Sequence, residues 1–158
     1  METTQINLCR ALKLKNRLAS RLARFDHLIV THNSSIKDYS EYDVRELYKS
    51  RMLLAEQLVQ LKVDISTANQ PMQQKIFEVG ECKALCSTLG RINTRHGPQT
   101  SGFEAIQEYA AQFRKPDVDK EIRKVEKEID RLQDELDQFN FETRISIPTT
   151  LLNEPEES

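Results

Sequence analysis

Five basic side chains, Arg10, Lys13, Arg17, Arg21 and Arg24, recur at steps of three and four near the start of the chain. On a helix, that spacing gathers them within about 80° of arc. A charged stripe of this kind is suited to gripping phosphates or an acidic helix. Other residue sets promise less. Cys82 and Cys86 lie four apart and would share a helix face, and His96 is the only other soft ligand nearby in sequence. Zinc takes about four ligands, and His27 and His32 would have to arrive through the fold, so the two cysteines are expected to pack as small apolar residues. No metal and no cofactor is expected. The run RHGPQTSG has neither the lysine nor the glycine spacing of a phosphate cradle. Neither a Gly-x-Ser-x-Gly elbow nor a His-Glu-x-x-His pair occurs. Carboxylates are dense late in the chain (Glu121, Glu128, Asp130, Asp134, Glu135 and Asp137). They fall on what reads as a charged, solvated helix, without the apolar pocket that acid–base work requires. No catalytic residue is assigned, and the chain is not expected to be an enzyme.

The stripe itself has three readings. The first is a solvated face, neutralised within the fold or between subunits by the acidic last helix. The second is a contact for an acidic protein partner. The third is nucleic acid, against which stands the absence of interleaved aromatic residues that would stack on bases. The formal net charge of −2 adds no long-range pull on polyanions. The first helix is also basic and amphipathic, the general profile of an interfacial helix. Its apolar face lacks Trp, carries one Phe and matches the second helix, which argues against a membrane role.

The elements that would carry these residues are legible from their periodicity. Apolar positions Leu8, Ala11, Leu18, Leu22, Phe25 and Ile29 step by three and four, with Lys15 as the interruption. They predict a helix from about Thr4 to about Val30 with a coiled-coil seam. THNSSIKDYSEY breaks the pattern. Asp43 then caps a second helix, with Glu46 three residues on as in a capping box. Its seam reads Val44, Leu47, Leu54, Leu58, Leu61, Ile65 and Ala68, interrupted by Arg51, and Asn69 and Pro71 stop it. Two helices of similar length joined by a modest loop fold back as an antiparallel hairpin. Lys15 and Arg51 would either snorkel or meet a carboxylate from another helix. A shorter helix is predicted around Ile76 to Thr94, weakened by Gly80 and Gly90. RHGPQTSG reads as a flexible loop and FEAIQEYAAQF as a short helix ended by Pro116. The last helix, capped by Asp117 or Asp119, runs on Ile122, Val125, Ile129, Leu132, Leu136 and Phe139. Asn140 should end it, with Phe139 and Phe141 packing down and Ile145 and Ile147 attaching to a neighbour. NEPEES closes the sequence as an acidic tail with the composition of a disordered segment.

The chain has 158 residues, 30% of them charged, with no Trp, four Gly and five Pro. That composition favours long helices, and the length suits one domain able to bury about 70% of its unfolded surface. The expected fold is all-α: a long antiparallel hairpin or coiled-coil bundle of about four helices over residues 1–150. A short extended segment follows the last helix, and an acidic tail covers 151–158. METTQINLCRALKLKNR has no apolar stretch of the signal-peptide type, and three cysteines make a poor disulfide framework. A cytoplasmic location with free thiols is expected.

A helix beginning ALKLKNRL, a second ending ISTAN, and a last helix announced by PDVD and closed by NFETRI resemble the septicolysin-like family of small, largely uncharacterised bacterial helical proteins. The resemblance covers most of the chain in order, but matches poorly from Pro71 to Phe113. It implies a long helical hairpin and little about chemistry. Apolar residues outside one narrow seam, such as Leu12, Leu14, Leu28, Leu53 and Val63, suggest burial between copies. The function expected is therefore a non-enzymatic helical interaction protein that self-associates as a homodimer or higher. Nucleic-acid binding through the stripe and a membrane-active, cytolysin-like role are the alternatives.

Overall fold

The structure, a computed structural model, describes residues 2–37, 39–100, 102 and 105–152. The chain is mostly α-helical, and it divides into two compact units.

The first unit joins residues 1–71 to residues 137–158. It opens with a strand the sequence reading did not foresee, β1 (Thr3–Asn7), which turns directly into helix α1 (Leu8–His32). The helix was expected from Thr4. It starts four residues later because Asn7 is extended and its side chain accepts the Arg10 backbone N–H at 3.0 Å, an N-cap. Helix α2 (Val44–Asn69) is capped as expected by Asp43, whose carboxylate accepts from the N–H groups of Arg45 and Glu46. Glu46 itself pairs with Lys49 instead of reaching back to the cap. Asp26 late in α1 meets Arg51 early in α2, so the two helices fold back on each other. Their shared core holds Leu8, Ala11, Leu14 and Leu18 from α1 and Leu54, Leu58, Leu61 and Ile65 from α2. Burying each such leucine favours the fold by about 1.5–3 kcal/mol. Leu14 takes a place the sequence reading left outside the seam, while Lys15 is only half-buried.

Strand β4 (Arg144–Pro148) is the extended segment expected after the last helix, and it pairs antiparallel with β1. The register sets Ile6 opposite Ile145 and Thr4 opposite Ile147. The alternation of TRISI now has its reason: Ile145 and Ile147 face the core while Arg144 and Ser146 face solvent. A single 3-10 turn, Thr149–Leu151, extends the pairing. Thr149 donates its N–H to the Glu2 carbonyl and its hydroxyl meets that of Thr4 at 2.9 Å.

The second unit spans Met72–Leu136. A 3-10 turn over Gln70–Met72 leads from α2 into α3 (Gln73–Gly90) without a loop residue between them. Helix α3 thus starts and stops somewhat before the predicted Ile76–Thr94. Two three-residue strands follow, β2 (Gly97–Gln99) and β3 (Gln107–Tyr109), paired antiparallel. Both correct the sequence reading, which gave a flexible loop at the first and a helix at the second; Phe103 and Glu104, at the start of that expected helix, lie outside the described residues. Gly97 enters β2 with φ of 84°, a conformation that glycine adopts without a Cβ penalty. His96 fastens the hairpin, its Nδ1 accepting the Ala111 N–H at 3.2 Å. Helix α4 (Lys115–Glu142) begins before the expected caps, with Pro116 in its first turn, where a missing N–H costs nothing. Within this unit Val79, Leu132, Leu136 and Met72 form a small core, and Lys75 of α3 pairs with Glu135 of α4.

Helix α4 runs on into the first unit and ends at Glu142, two residues beyond the expected stop at Asn140. Thr143 N–H closes the last turn on the Phe139 carbonyl, and the Thr143 carbonyl accepts the first N–H of α1, at Leu8. One helix end therefore satisfies an orphan donor of another. Of the tail expected over 151–158, Leu151 is buried and Leu152 half-buried, while residues 153–158 lie outside the described residues.

Candidate functional site

The Asn7 cap fixes where α1 begins, and with it the facing of every basic residue that follows. Arg10, Lys13 and Arg17 are exposed on α1. Together with Leu14 and Leu152 they line a groove of about 310 Å³. Its floor is apolar and its rim cationic. The Arg17 guanidinium donates to the Leu151 carbonyl at 3.5 Å, which joins the stripe to the turn after β4. Further along, the Arg21 guanidinium lies 5.6 Å from the centre of the Phe25 ring, within cation–π range. Arg24 is exposed one turn on. The structure thus brings all five sequence-assigned cations to one helix. It also adds Leu151 and Leu152, whose involvement the sequence did not signal because they lie more than 130 residues away.

Three of the acids expected to neutralise the stripe, Glu121, Glu128 and Glu135, pair with cations of α3 and α4. Glu128 and Glu135 both bind Arg131, Glu135 also binds Lys75, and Glu121 pairs with Lys124. The Arg131 hydrogen bond holds the Glu128 carboxyl below the usual carboxylate range.

A second surface lies on α2. Tyr48, Met52, Val59 and Val63 are 56, 44, 59 and 52% exposed, and their spacing of four, seven and four puts them on one face. Ala55 fills the gap. At 3.6 residues per turn this face sits about 140° round from the seam that packs on α1. Only Val63 of these stood out in the sequence, because the stronger seam on the same helix masks a second periodicity. Of the other residues assigned to contacts between copies, Leu14 is buried and Leu12 packs on the core of the first unit, while Leu53 is exposed.

The four residues assigned to the end stop divide. Ile145 and Ile147 are buried within their own chain, so their apolar character is used there rather than offered to a neighbour. Phe139 packs on the same core, whereas Phe141, expected to pack down, stands 69% exposed. Cys82 and Cys86 share the α3 face with Val79 and Leu89 and are half-buried. Among the described residues no three His, Cys, Asp or Glu side chains gather as metal ligands, and no helix is long and apolar enough to cross a membrane.

No family model, no curated protein and no solved structure matches this chain. The geometry of these two surfaces is therefore what bears on function.

Proposed function

We propose that this protein is a non-enzymatic helical scaffold, working in the cytoplasm, that associates with copies of itself through the outer face of α2. The observation that carries this reading is the stripe of Tyr48, Met52, Val59 and Val63, each of which leaves a large apolar side chain about half in water. Exposed apolar side chains scattered singly are ordinary, but a run of them on one helix face is the pattern that pairs helices. The resemblance to the septicolysin-like family belongs to this reading. So does an acidic protein as a further partner.

Light scattering coupled to size exclusion tests it. The parent should elute as a dimer or larger at tens of micromolar. Met52→Glu with Val59→Glu, both at exposed positions, should give a monomer with an unchanged circular dichroism spectrum. A parent that stays monomeric at high micromolar concentration refutes self-association. A double variant that keeps the parent's size moves the interface off α2. The second reading, nucleic acid on the basic stripe, is favoured by the alignment of five cations on one helix. It requires affinity for short DNA or RNA that falls steeply with salt. Negligible binding at physiological salt is expected.

A further inference from the structure

Arg10, Lys13 and Arg17 line one groove with Leu14 and Leu152, so three cations and two apolar side chains meet in a space of about 310 Å³. Among the described residues no carboxylate pairs with any of the three cations. Lys13 stands three residues after Arg10 and four before Arg17, which makes the three side chains neighbours on successive turns of α1. Arg17 is also held in place. Its guanidinium donates to the Leu151 carbonyl at 3.5 Å, and Leu151 itself is buried. That bond uses one terminal nitrogen, Nη2, and leaves the other N–H groups of the fork for an anion. Cations gathered without a counter-charge repel one another, and an anion placed among them removes that repulsion.

The size and lining of the groove restrict the anion it suits. A volume of 310 Å³ holds about ten non-hydrogen atoms at ~30 Å³ each, the share of one water in the liquid. Ligand pockets run upward from about 300 Å³, so a small molecule fits. A phosphate monoester carries close to two negative charges near pH 7 and three free acceptor oxygens, enough to face all three cations. A carboxylate brings one charge and two oxygens to the same three groups. Inorganic phosphate would leave Leu14 and Leu152 unused, and a polynucleotide offers its phosphates without an apolar end for them to cover.

We propose that this groove binds a phosphate monoester of a short alkyl group, with about ten non-hydrogen atoms in all. Its phosphate sits among Arg10, Lys13 and Arg17, and its chain lies along Leu14 and Leu152. The charged half of the contact weakens with salt, because the rim is exposed. The apolar half follows the area that the two leucines cover.

Hexyl phosphate, which matches this size, is the probe, titrated into the full chain with labelled leucine methyl groups. The Leu14 and Leu152 methyl signals should shift saturably in the NMR spectrum, while that of Leu132 in the other core stays in place. Inorganic phosphate and hexan-1-ol, each carrying half of the ligand, should bind at least about ten-fold more weakly. Lys13→Gln with Arg17→Gln, both at exposed positions, should weaken hexyl phosphate about ten-fold without changing the circular dichroism spectrum. Leu152→Ala should weaken it several-fold and leave inorganic phosphate unaffected. Absence of saturable shifts at Leu14 and Leu152 up to tens of millimolar hexyl phosphate overturns the proposal. Affinity equal to that of inorganic phosphate overturns it too, since the leucines would then contribute nothing. Affinity equal to that of hexan-1-ol, or unchanged in the double variant, does the same for the cations. A short RNA that shifts the same methyl signals at lower concentration also overturns it, because the groove would then serve a polymer.

Discussion

Arg51 interrupts an otherwise apolar seam, and the structure gives it a partner. Its Nε donates to Asp26 Oδ1 at 2.8 Å, so the cation that breaks the seam of α2 meets a carboxylate from α1. The hydrogen bond from Arg51 is the main cause that holds the Asp26 carboxyl below its ordinary value. A carboxyl depressed in the folded state contributes stability above its unfolded value, near 3.8, and loses that contribution as pH falls through the folded value. The Asp26→Asn variant should therefore melt below the parent between about pH 5 and 7, and the gap should close in stronger acid. Melting curves across that range check it. A gap that persists undiminished at about pH 2 would mean that the asparagine acts through packing instead of charge.

At the scale of elements, α2 is a two-faced helix, and its faces should respond differently to the same kind of truncation. Leu61 is 2% exposed in the shared core, and Leu61→Ala should cost about 2–5 kcal/mol. Val63, two residues away on the outer face, should tolerate Val63→Ala within about 0.5 kcal/mol in the monomer. Urea unfolding at low protein concentration separates the two. That contrast also marks what the sequence made legible. The seams of α1 and α2 were readable because each repeats an apolar residue over many turns, and Asp43 capped α2 where its residue type predicted. Strand β1 was not, because TTQIN holds one apolar residue, Ile6, whose role depends on Ile145 far along the chain. Strands β2 and β3 are three residues each, too short for alternation to show against a helical reading of FEAIQEYAAQF. The stripe of the candidate site was legible as five cations, but the groove was not, since its wall comes from Leu152.

For the whole molecule, the division into two units predicts two responses. Leu132 is 1% exposed in the small core with Val79 and Leu136. Leu132→Ala should raise hydrogen exchange throughout α3 and the part of α4 in the second unit. The amides of Leu54 to Ile65 in α2, which belong to the other core, should keep most of their protection. Hydrogen exchange resolved by peptide reads both at once, and equal loosening of α2 would show that the two cores unfold as one.

The pairing of β1 with β4 has a temporal consequence. Thr4 and Thr149, hydrogen-bonded in the folded chain, are 145 residues apart. At about 5–20 residues per second, roughly 7 to 30 s separate their synthesis. During that interval α1 and α2 can already close their hairpin, while Ile6 waits without Ile145 opposite it. The second unit, continuous in sequence, is complete before the first unit receives its final strand. The part of the molecule made first is thus the last to be finished, and a nascent chain halted before β4 leaves Ile6 and the adjoining end of its core uncovered.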